Sequence, residues 1–216
     1  HYIGSVIRVR GMLVESRGPQ AVIGEICKIA IPSAGTHVLA EVVGLYDTTV
    51  QLMAYGDTKG IEIGCTVTAS GSVLQVAVGR QLLGRVLDAV GKAYDKKGEI
   101  AASTFYPAIA SPPDPLDRTP VNKRIVTGVR AIDSLLAVGK GQRLGIFSGS
   151  GVGKSTLLGM IARNTNADVN VIALIGERGR EVVDFLQRDL GEDGLKRSVV
   201  VVATSDQSPI ARLRGA

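Results

Sequence analysis

A glycine-rich segment in the second half of the chain carries the residue types that a phosphate-binding site needs. The segment, SGSGVGKST, runs from Ser148 to Thr156. Glycine adopts positive φ angles and has no side chain, so Gly149, Gly151 and Gly153 allow backbone N–H groups to point at a phosphate. The lysine and serine that follow such a loop can reach the β and γ phosphates of a nucleotide and a bound Mg²⁺ ion. The segment therefore predicts a site for ATP and Mg²⁺.

Each residue of this loop has an expected role. Lys154 is predicted to bind phosphate and to stabilise the charge that develops during reaction, and Ser155 is the predicted metal ligand. The strict pattern has glycine where this chain has Ser148, but that position opens the turn and makes no required phosphate contact. A glycine-rich turn of another doubly wound protein is the alternative. The predicted nucleotide-binding residues are Ser148, Gly149, Ser150, Gly151, Val152, Gly153, Lys154, Ser155 and Thr156.

A second polar stretch, LIGERGREVVDF, follows an apolar run and contains a candidate catalytic carboxylate. Glu177 lies 23 residues after Lys154, which is enough for one helix, one connection and one strand. Because the carboxyl ends of parallel strands share a crevice, Glu177 is expected near the phosphates, where it could orient and deprotonate a water. Arg178 could sense or neutralise phosphate charge. The alternative for Glu177 is an acidic residue placed favourably before a helix; Arg180 and Glu181 are interpreted as solvated helix residues.

The pattern around these motifs alternates between helix and strand. QRLGIFSG, VNVIALIG and SVVVVATS have the composition of buried strands, and KSTLLGMIAR and REVVDFLQRDL that of helices. VRAIDSLLAV is a further predicted helix, with Val129, Ile132, Leu135 and Leu136 on one stripe. Apolar strands that alternate with helices indicate an α/β fold, here a P-loop (RecA-like) parallel sheet domain.

The first part of the chain has a different pattern. Short β-branched runs separated by Gly, Pro and Asp predict a small N-terminal β-barrel over residues 1–80. Residues 81–122 are the predicted connector: 84–95 has the pattern of a strand and a turn, and 107–120 holds five of the eight prolines, so it is expected to be extended. Residues 123–216 are then the N-terminal part of the P-loop domain.

Composition narrows the classes of function. The chain has 216 residues, 45% of them hydrophobic, and a net charge of +5, with no run of five like charges. Residues 1–80 have zero net charge and no Phe, so a nucleic-acid-binding barrel is not expected. Cys27 and Cys65 are too few for a disulfide framework and are interpreted as buried thiols in a reducing compartment. With no apolar run of membrane-spanning length, a cytoplasmic location is expected.

The motifs together resemble a known family. GQRLGIFSGSGVGKSTLLGMIAR and ALIGERGREVVDF, with TGVRAIDSLLAVGKGQR and LGRVLDAVGK upstream, resemble the flagellar and type III secretion export ATPases, relatives of the rotary ATP synthase catalytic subunits. The resemblance is continuous over residues 81–210, whereas the barrel matches mainly in pattern. It implies Mg²⁺-dependent ATP hydrolysis with Glu177 as the catalytic residue of the GER motif. Noncatalytic relatives have Gln at that position.

The resemblance also implies partners and a location. It predicts a homohexamer, a stator-like regulatory subunit, an export gate, export substrates and chaperones, and peripheral association with the inner face of a membrane export apparatus. The flagellar branch is favoured over the virulence branch; a rotary ATPase subunit and an RNA-translocating hexameric ATPase are less favoured alternatives. It further implies that the chain is truncated: a Mg²⁺-organising Asp, an arginine finger, an adenine-contacting aromatic residue and a helical domain would lie outside it, leaving it weakly active or inactive.

Overall fold

A closed antiparallel β-barrel forms the first part of the protein. The computed structural model describes residues 2–149 and 151–216, and within these ranges six strands close the barrel in the order β1-β2-β5-β4-β3-β6. Their bounds are β1 Ile3–Arg10, β2 Leu13–Arg17, β3 Glu25–Ile31, β4 Thr36–Tyr46, β5 Thr49–Ala54 and β6 Thr66–Val73. Side chains of a strand alternate between two faces, and β5 shows this directly because Val50, Leu52 and Ala54 point into the core. The predicted barrel is confirmed.

The barrel core contains both cysteines as free, buried thiols. Burial, together with the nearby carboxylate of Glu25, raises the pKa of the Cys27 thiol to about 12. Because the thiolate is the reactive form of cysteine, Cys27 is held unreactive at neutral pH.

A parallel sheet follows the barrel. It has the order β10-β11-β8, and its strands are β8 Val86–Asp88, β10 Asn170–Ile175 and β11 Ser198–Ala203. β7 Gln75–Val78 and β9 Thr104–Pro107 form a separate antiparallel pair. The predicted strand and turn at 84–95 are present, and this strand joins the parallel sheet by pairing with β11.

The second part of the protein also contains helices. They are α1 Arg130–Leu135, α2 Lys154–Asn164, α3 Gly179–Asp184, a π-helical turn at Phe185–Leu190, α4 Gly191–Lys196 and α5 Pro209–Gly215, with short 3₁₀ turns at Pro32–Ala34, Arg80–Leu82 and Pro115–Asp117. The predicted helix REVVDFLQRDL therefore consists of α3 and the π-helical turn. Ala162 of α2, Val182 of α3 and Phe185 pack against Val200 and Val202 of β11, which fixes α2 and α3 on the sheet. No helix within 2–149 and 151–216 combines the length and hydrophobicity that spanning a bilayer requires.

Two sequence predictions in this region are wrong. QRLGIFSG forms no strand: residues 142–149 lie outside every ladder of the described chain, and Phe147 is 95% exposed. A strand needs a hydrogen-bonding neighbour as well as apolar side chains, and this segment does not pair with β10, the strand at that end of the sheet. The predicted stripe on VRAIDSLLAV also fails in part. Val129 and Ile132 are buried, but Leu135 is 82% exposed and Leu136 follows the last residue of the short helix α1.

A buried charged cluster joins the barrel to the sheet domain. The Glu41 carboxylate, on β4, accepts hydrogen bonds from Tyr55 Oη at 2.6 Å and from Arg214 Nε at 2.9 Å; Arg214 Nη2 donates to its other oxygen. Ser208 Oγ, at the start of α5, donates to the Tyr55 carbonyl. Burial alone would raise the pKa of Glu41, but the hydrogen bonds from Arg214 and Tyr55 outweigh it and lower that pKa. Glu41 is only 3% exposed, so its charge depends on these partners.

Replacing Arg214 by Gln is therefore expected to destabilise the protein by about 3 kcal/mol, because a buried carboxylate loses its cationic partner. Urea unfolding measures this loss as a lower midpoint. Lys196→Gln is the matched control, since it breaks an exposed ion pair with Asp193 and should cost less than about 1 kcal/mol. Equal losses in the two variants would contradict the proposed role of the cluster.

Candidate functional site

The glycine-rich loop leads directly into a helix, as the predicted chemistry requires. α2 begins at Lys154, and Gly153 precedes it with φ 96°. Gly151 has φ 77°, and nothing lies within 4 Å of the position that a Cβ atom would occupy at Gly151 or Gly153. The two glycines therefore leave an open, backbone-lined space before the positive end of the helix dipole, which suits a phosphate group. Ser150 lies outside the described residues.

The rest of the predicted loop is exposed. Ser148 donates a hydrogen bond to the carbonyl of Gly149 at 3.2 Å, and Val152 points into solvent. Lys154, Ser155 and Thr156 follow in the first turn of α2, where backbone N–H groups have no acceptor within the helix. These donors and the lysine charge are available to an anion.

Glu177 reaches the same region from the sheet. It lies two residues after the end of β10. Its position is fixed by the neighbouring strand, because Gly176 N–H donates to the Ala203 carbonyl at 2.7 Å and Ser205 N–H donates to the Glu177 carbonyl at 3.0 Å. The end of the sheet therefore sets the backbone that carries the predicted catalytic carboxylate.

A cavity of about 240 Å³ brings the two motifs together. Lys154 and Ser155 from α2 line it with Glu177 and Glu181, and Leu144, Ile146, Leu158, Ala173, Leu174 and Phe185 complete its walls. The arrangement combines a cation, a hydroxyl and two carboxylates on an apolar base. It can hold phosphate oxygens beside Lys154 and a divalent cation beside Ser155, and it places a carboxylate where a water could be oriented. The residues present thus fit ATP and Mg²⁺.

Glu181 is an exposed residue of α3, as predicted, and it also lines this cavity. A hydrogen bond with Glu181, reinforced by burial, raises the pKa of Glu177 despite the opposing charge of Lys154. The hydrogen bond with Glu177 lowers the pKa of Glu181, and Glu181 also accepts from the Arg178 backbone N–H at 3.4 Å. The two carboxylates thus share a proton more readily than isolated ones. Their spacing of four residues at a helix start is the sequence signal that could have revealed the pair.

Arg178 lies outside the cavity lining. Its side chain is 82% exposed, and its guanidinium is 3.8 Å from the Glu181 carboxylate. Its predicted role in sensing phosphate charge stays a prediction.

The comparisons with known proteins agree with this architecture. The sequence model of the ATP synthase alpha/beta family nucleotide-binding domain matches residues 128–216, and that of the same family's beta-barrel domain matches residues 6–71. The chain belongs to the ATP synthase alpha/beta family. Its relatives include proteins named flagellum-specific ATP synthase and type 3 secretion system ATPase.

Two curated relatives illustrate that similarity. The flagellum-specific ATP synthase of Treponema pallidum is 63% identical over 215 residues, which are 100% of this chain and 48% of that protein. A type 3 secretion system ATPase of Xanthomonas euvesicatoria is 47% identical over 213 residues, which are 99% of this chain and 48% of that protein. The chain thus spans about half the length of these relatives.

A solved structure has the same fold. The assembled ATPase EscN from the type III secretion system of enteropathogenic E. coli superposes with a TM-score of 0.86 at 40% identity, over 98% of this chain and 50% of that one. A second EscN structure, in complex with its central stalk EscO, gives a TM-score of 0.88.

The glutamate pair leads to a testable pKa difference. In Glu181→Gln, Glu177 loses its acidic neighbour, so its pKa is expected to fall towards the ordinary glutamate value. ¹³C-carboxyl NMR titration of the two proteins measures this shift directly. Glu192→Gln, an exposed change on α4, is the control and should leave the Glu177 titration unchanged. An identical Glu177 titration in wild type and Glu181→Gln would contradict the pair.

Proposed function

We propose that the protein carrying this chain hydrolyses ATP to ADP and phosphate with Mg²⁺ and so energises protein export by a flagellar type III secretion apparatus. The observation that carries the proposal is the cavity that Lys154, Ser155 and Glu177 line together. The names of the curated relatives support the export role, because they include flagellum-specific ATP synthases from three bacteria at 50–63% identity.

In the proposed mechanism, the backbone of Gly151 and Gly153 and the N-terminus of α2 bind the phosphates. Lys154 supports the charge that builds up on the transferred phosphoryl group. Ser155 would hold Mg²⁺, and the metal would supply neutralisation of phosphate charge. Glu177 orients the attacking water and accepts its proton, for which the carboxylate must be ionised. The raised pKa of Glu177 brings this group closer to the pH at which it works. Arg178, which follows Glu177 in the chain, is proposed to sense the phosphate charge.

The partners and location follow from the same assignment. We infer a homohexamer, a stator-like regulatory subunit, and an export gate with its substrates and chaperones, with the protein cytoplasmic and peripheral at the inner face of the membrane. Support comes from EscN, whose structures are of an assembled ATPase and of a complex with a central stalk. The virulence branch is the second candidate, because type 3 secretion ATPases are among the relatives at 43–47% identity.

Phosphate release by the full-length protein tests the activity. Glu177→Gln is expected to lower kcat by about 10²- to 10⁴-fold while Mg-ATP still binds, because the site loses its base but keeps the phosphate loop. Lys154→Ala is expected to weaken nucleotide binding as well as hydrolysis. Calorimetric binding alongside steady-state kinetics separates the two effects.

Arg180→Gln is the control, because Arg180 is exposed and lies outside the cavity lining. Its kinetics should match those of the wild type. Nucleotide binding without any turnover that depends on Lys154 would contradict the proposal and favour a noncatalytic subunit.

A further inference from the structure

A buried carboxylate behind the phosphate loop has no part in the function proposed so far. Asp189 lies in the π-helical turn and is 6% exposed. Its Oδ1 atom accepts a hydrogen bond from Thr156 Oγ1 at 3.3 Å. The guanidinium of the mostly exposed Arg188 is 3.9 Å away. A buried carboxylate is costly without partners, so its contact with Thr156 is a built feature of the fold.

The backbone holds Asp189 against α2 at a second point. A Cβ atom at Gly159 would lie 2.5 Å from the carbonyl oxygen of Asp189 and 2.9 Å from its Cβ atom. Such distances are far inside van der Waals contact, so only glycine allows α2 and the π-helical turn to approach this closely. Asp189 therefore has a fixed position relative to α2, one turn beyond Thr156.

The first turn of α2 needs such a contact. Gly153, its N-cap, has no side chain, and no side-chain cap hydrogen bond is present there. Thr156 is the second residue after Lys154 and lies in the same turn. A hydrogen bond from its hydroxyl to a fixed carboxylate therefore restrains the turn that carries the lysine and Ser155.

The π-helical turn that contains Asp189 is also close in sequence to Glu177, the proposed catalytic carboxylate. The π-helical turn continues α3 without a break, and α3 begins two residues after Glu177. π-helical turns are rare and are found frequently at functional sites. Asp189 thus connects the element that carries the phosphate-binding residues with the element that follows Glu177.

We infer that Asp189 is a positioning residue of the nucleotide site, which acts through the hydroxyl of Thr156 to hold Lys154 and Ser155 in place opposite Glu177. This role rests on the proposed function. It differs from a general packing role because it requires the Thr156 hydroxyl, and it concerns the binding of Mg-ATP more than the reaction itself.

A double-mutant cycle in the full-length protein tests the inference, with Kd for Mg-ATP, KM and kcat as the measurements. Thr156→Val removes the hydroxyl from an exposed position and is expected to raise Kd and KM about five- to tenfold, which is within the range for the loss of one hydrogen bond of ordinary strength. Little change in kcat is expected. Asp189→Ala is expected to raise them similarly. Because both changes break the same contact, the double variant should have the same Kd for Mg-ATP as the single variant that binds Mg-ATP more weakly.

Two further variants separate positioning from stability. Thr156→Ser keeps the hydroxyl and should recover most of the affinity lost in Thr156→Val. Thr156→Val leaves the buried Asp189 carboxylate without this donor, so its melting temperature is expected to fall, and Kd is therefore measured at a temperature at which every variant is fully folded. Asp193→Ala, at an exposed aspartate on α4, is the matched control and should leave Kd unchanged.

Two outcomes would overturn the inference. One is that the effects of Thr156→Val and Asp189→Ala on Kd multiply in the double variant. The other is that Thr156→Val binds Mg-ATP as tightly as the wild type does. Neither result would affect the proposed function, whose failure would show instead as the absence of hydrolysis that depends on Lys154 in the wild-type background.

Discussion

The parallel pairing of β10 with β11 is the constraint on which the site depends. After the last paired residue of β10, Gly176 N–H donates to the Ala203 carbonyl and Ser205 N–H donates to the Glu177 carbonyl. These two hydrogen bonds set the backbone position of Glu177. α2 packs on the same sheet through Ala162, so its first turn opens at the same end. The carboxyl ends of parallel strands and the N-termini of the helices on them meet at one edge. The predicted phosphate-binding loop and the predicted catalytic carboxylate, which come from distant segments, thereby line one cavity.

Contacts with the barrel also constrain the backbone position of Glu177. The segment that follows β11 leads into α5. Ser208, at the start of α5, and Arg214 donate hydrogen bonds to the Tyr55 carbonyl and the Glu41 carboxylate of the barrel. The same segment contains Ser205, whose N–H group donates to the carbonyl of Glu177. Burying Glu41 costs free energy that its hydrogen bonds must offset, and losing one partner would leave a buried carboxylate uncompensated. The backbone position of Glu177 is therefore linked to the contacts between α5 and the barrel.

Local patterns in the sequence were sufficient for the features that depend on local chemistry. We could predict the barrel strands, the loop before α2 and the carboxylate after β10. Short segments of sequence determine strand alternation, glycine conformations and the order of elements. The role of Glu181 could have been predicted from its spacing to Glu177. The predicted strand over 142–149 failed because apolar character shows that a segment can be buried, not that a neighbouring strand pairs with it.

Other features depend on contacts between distant parts of the chain. The Glu41 and Arg214 pair joins residues 173 positions apart, and the contact between Thr156 and Asp189 spans 33 positions. Neither pair has a sequence spacing that distinguishes it from ordinary surface residues. Close approach at Gly159 is likewise visible only once α2 and the π-helical turn are packed, since an isolated glycine in a helix has many explanations.

A structure of the full-length protein with Mg²⁺ and a nonhydrolysable ATP analogue tests the central claim most directly. The account predicts that the γ-phosphate lies between the Lys154 ammonium and the Glu177 carboxylate, with the Ser155 hydroxyl on the metal and the backbone N–H groups of the loop on the β-phosphate. A nucleotide bound with its γ-phosphate away from Glu177, or outside the cavity that Lys154 and Glu177 line, would contradict it.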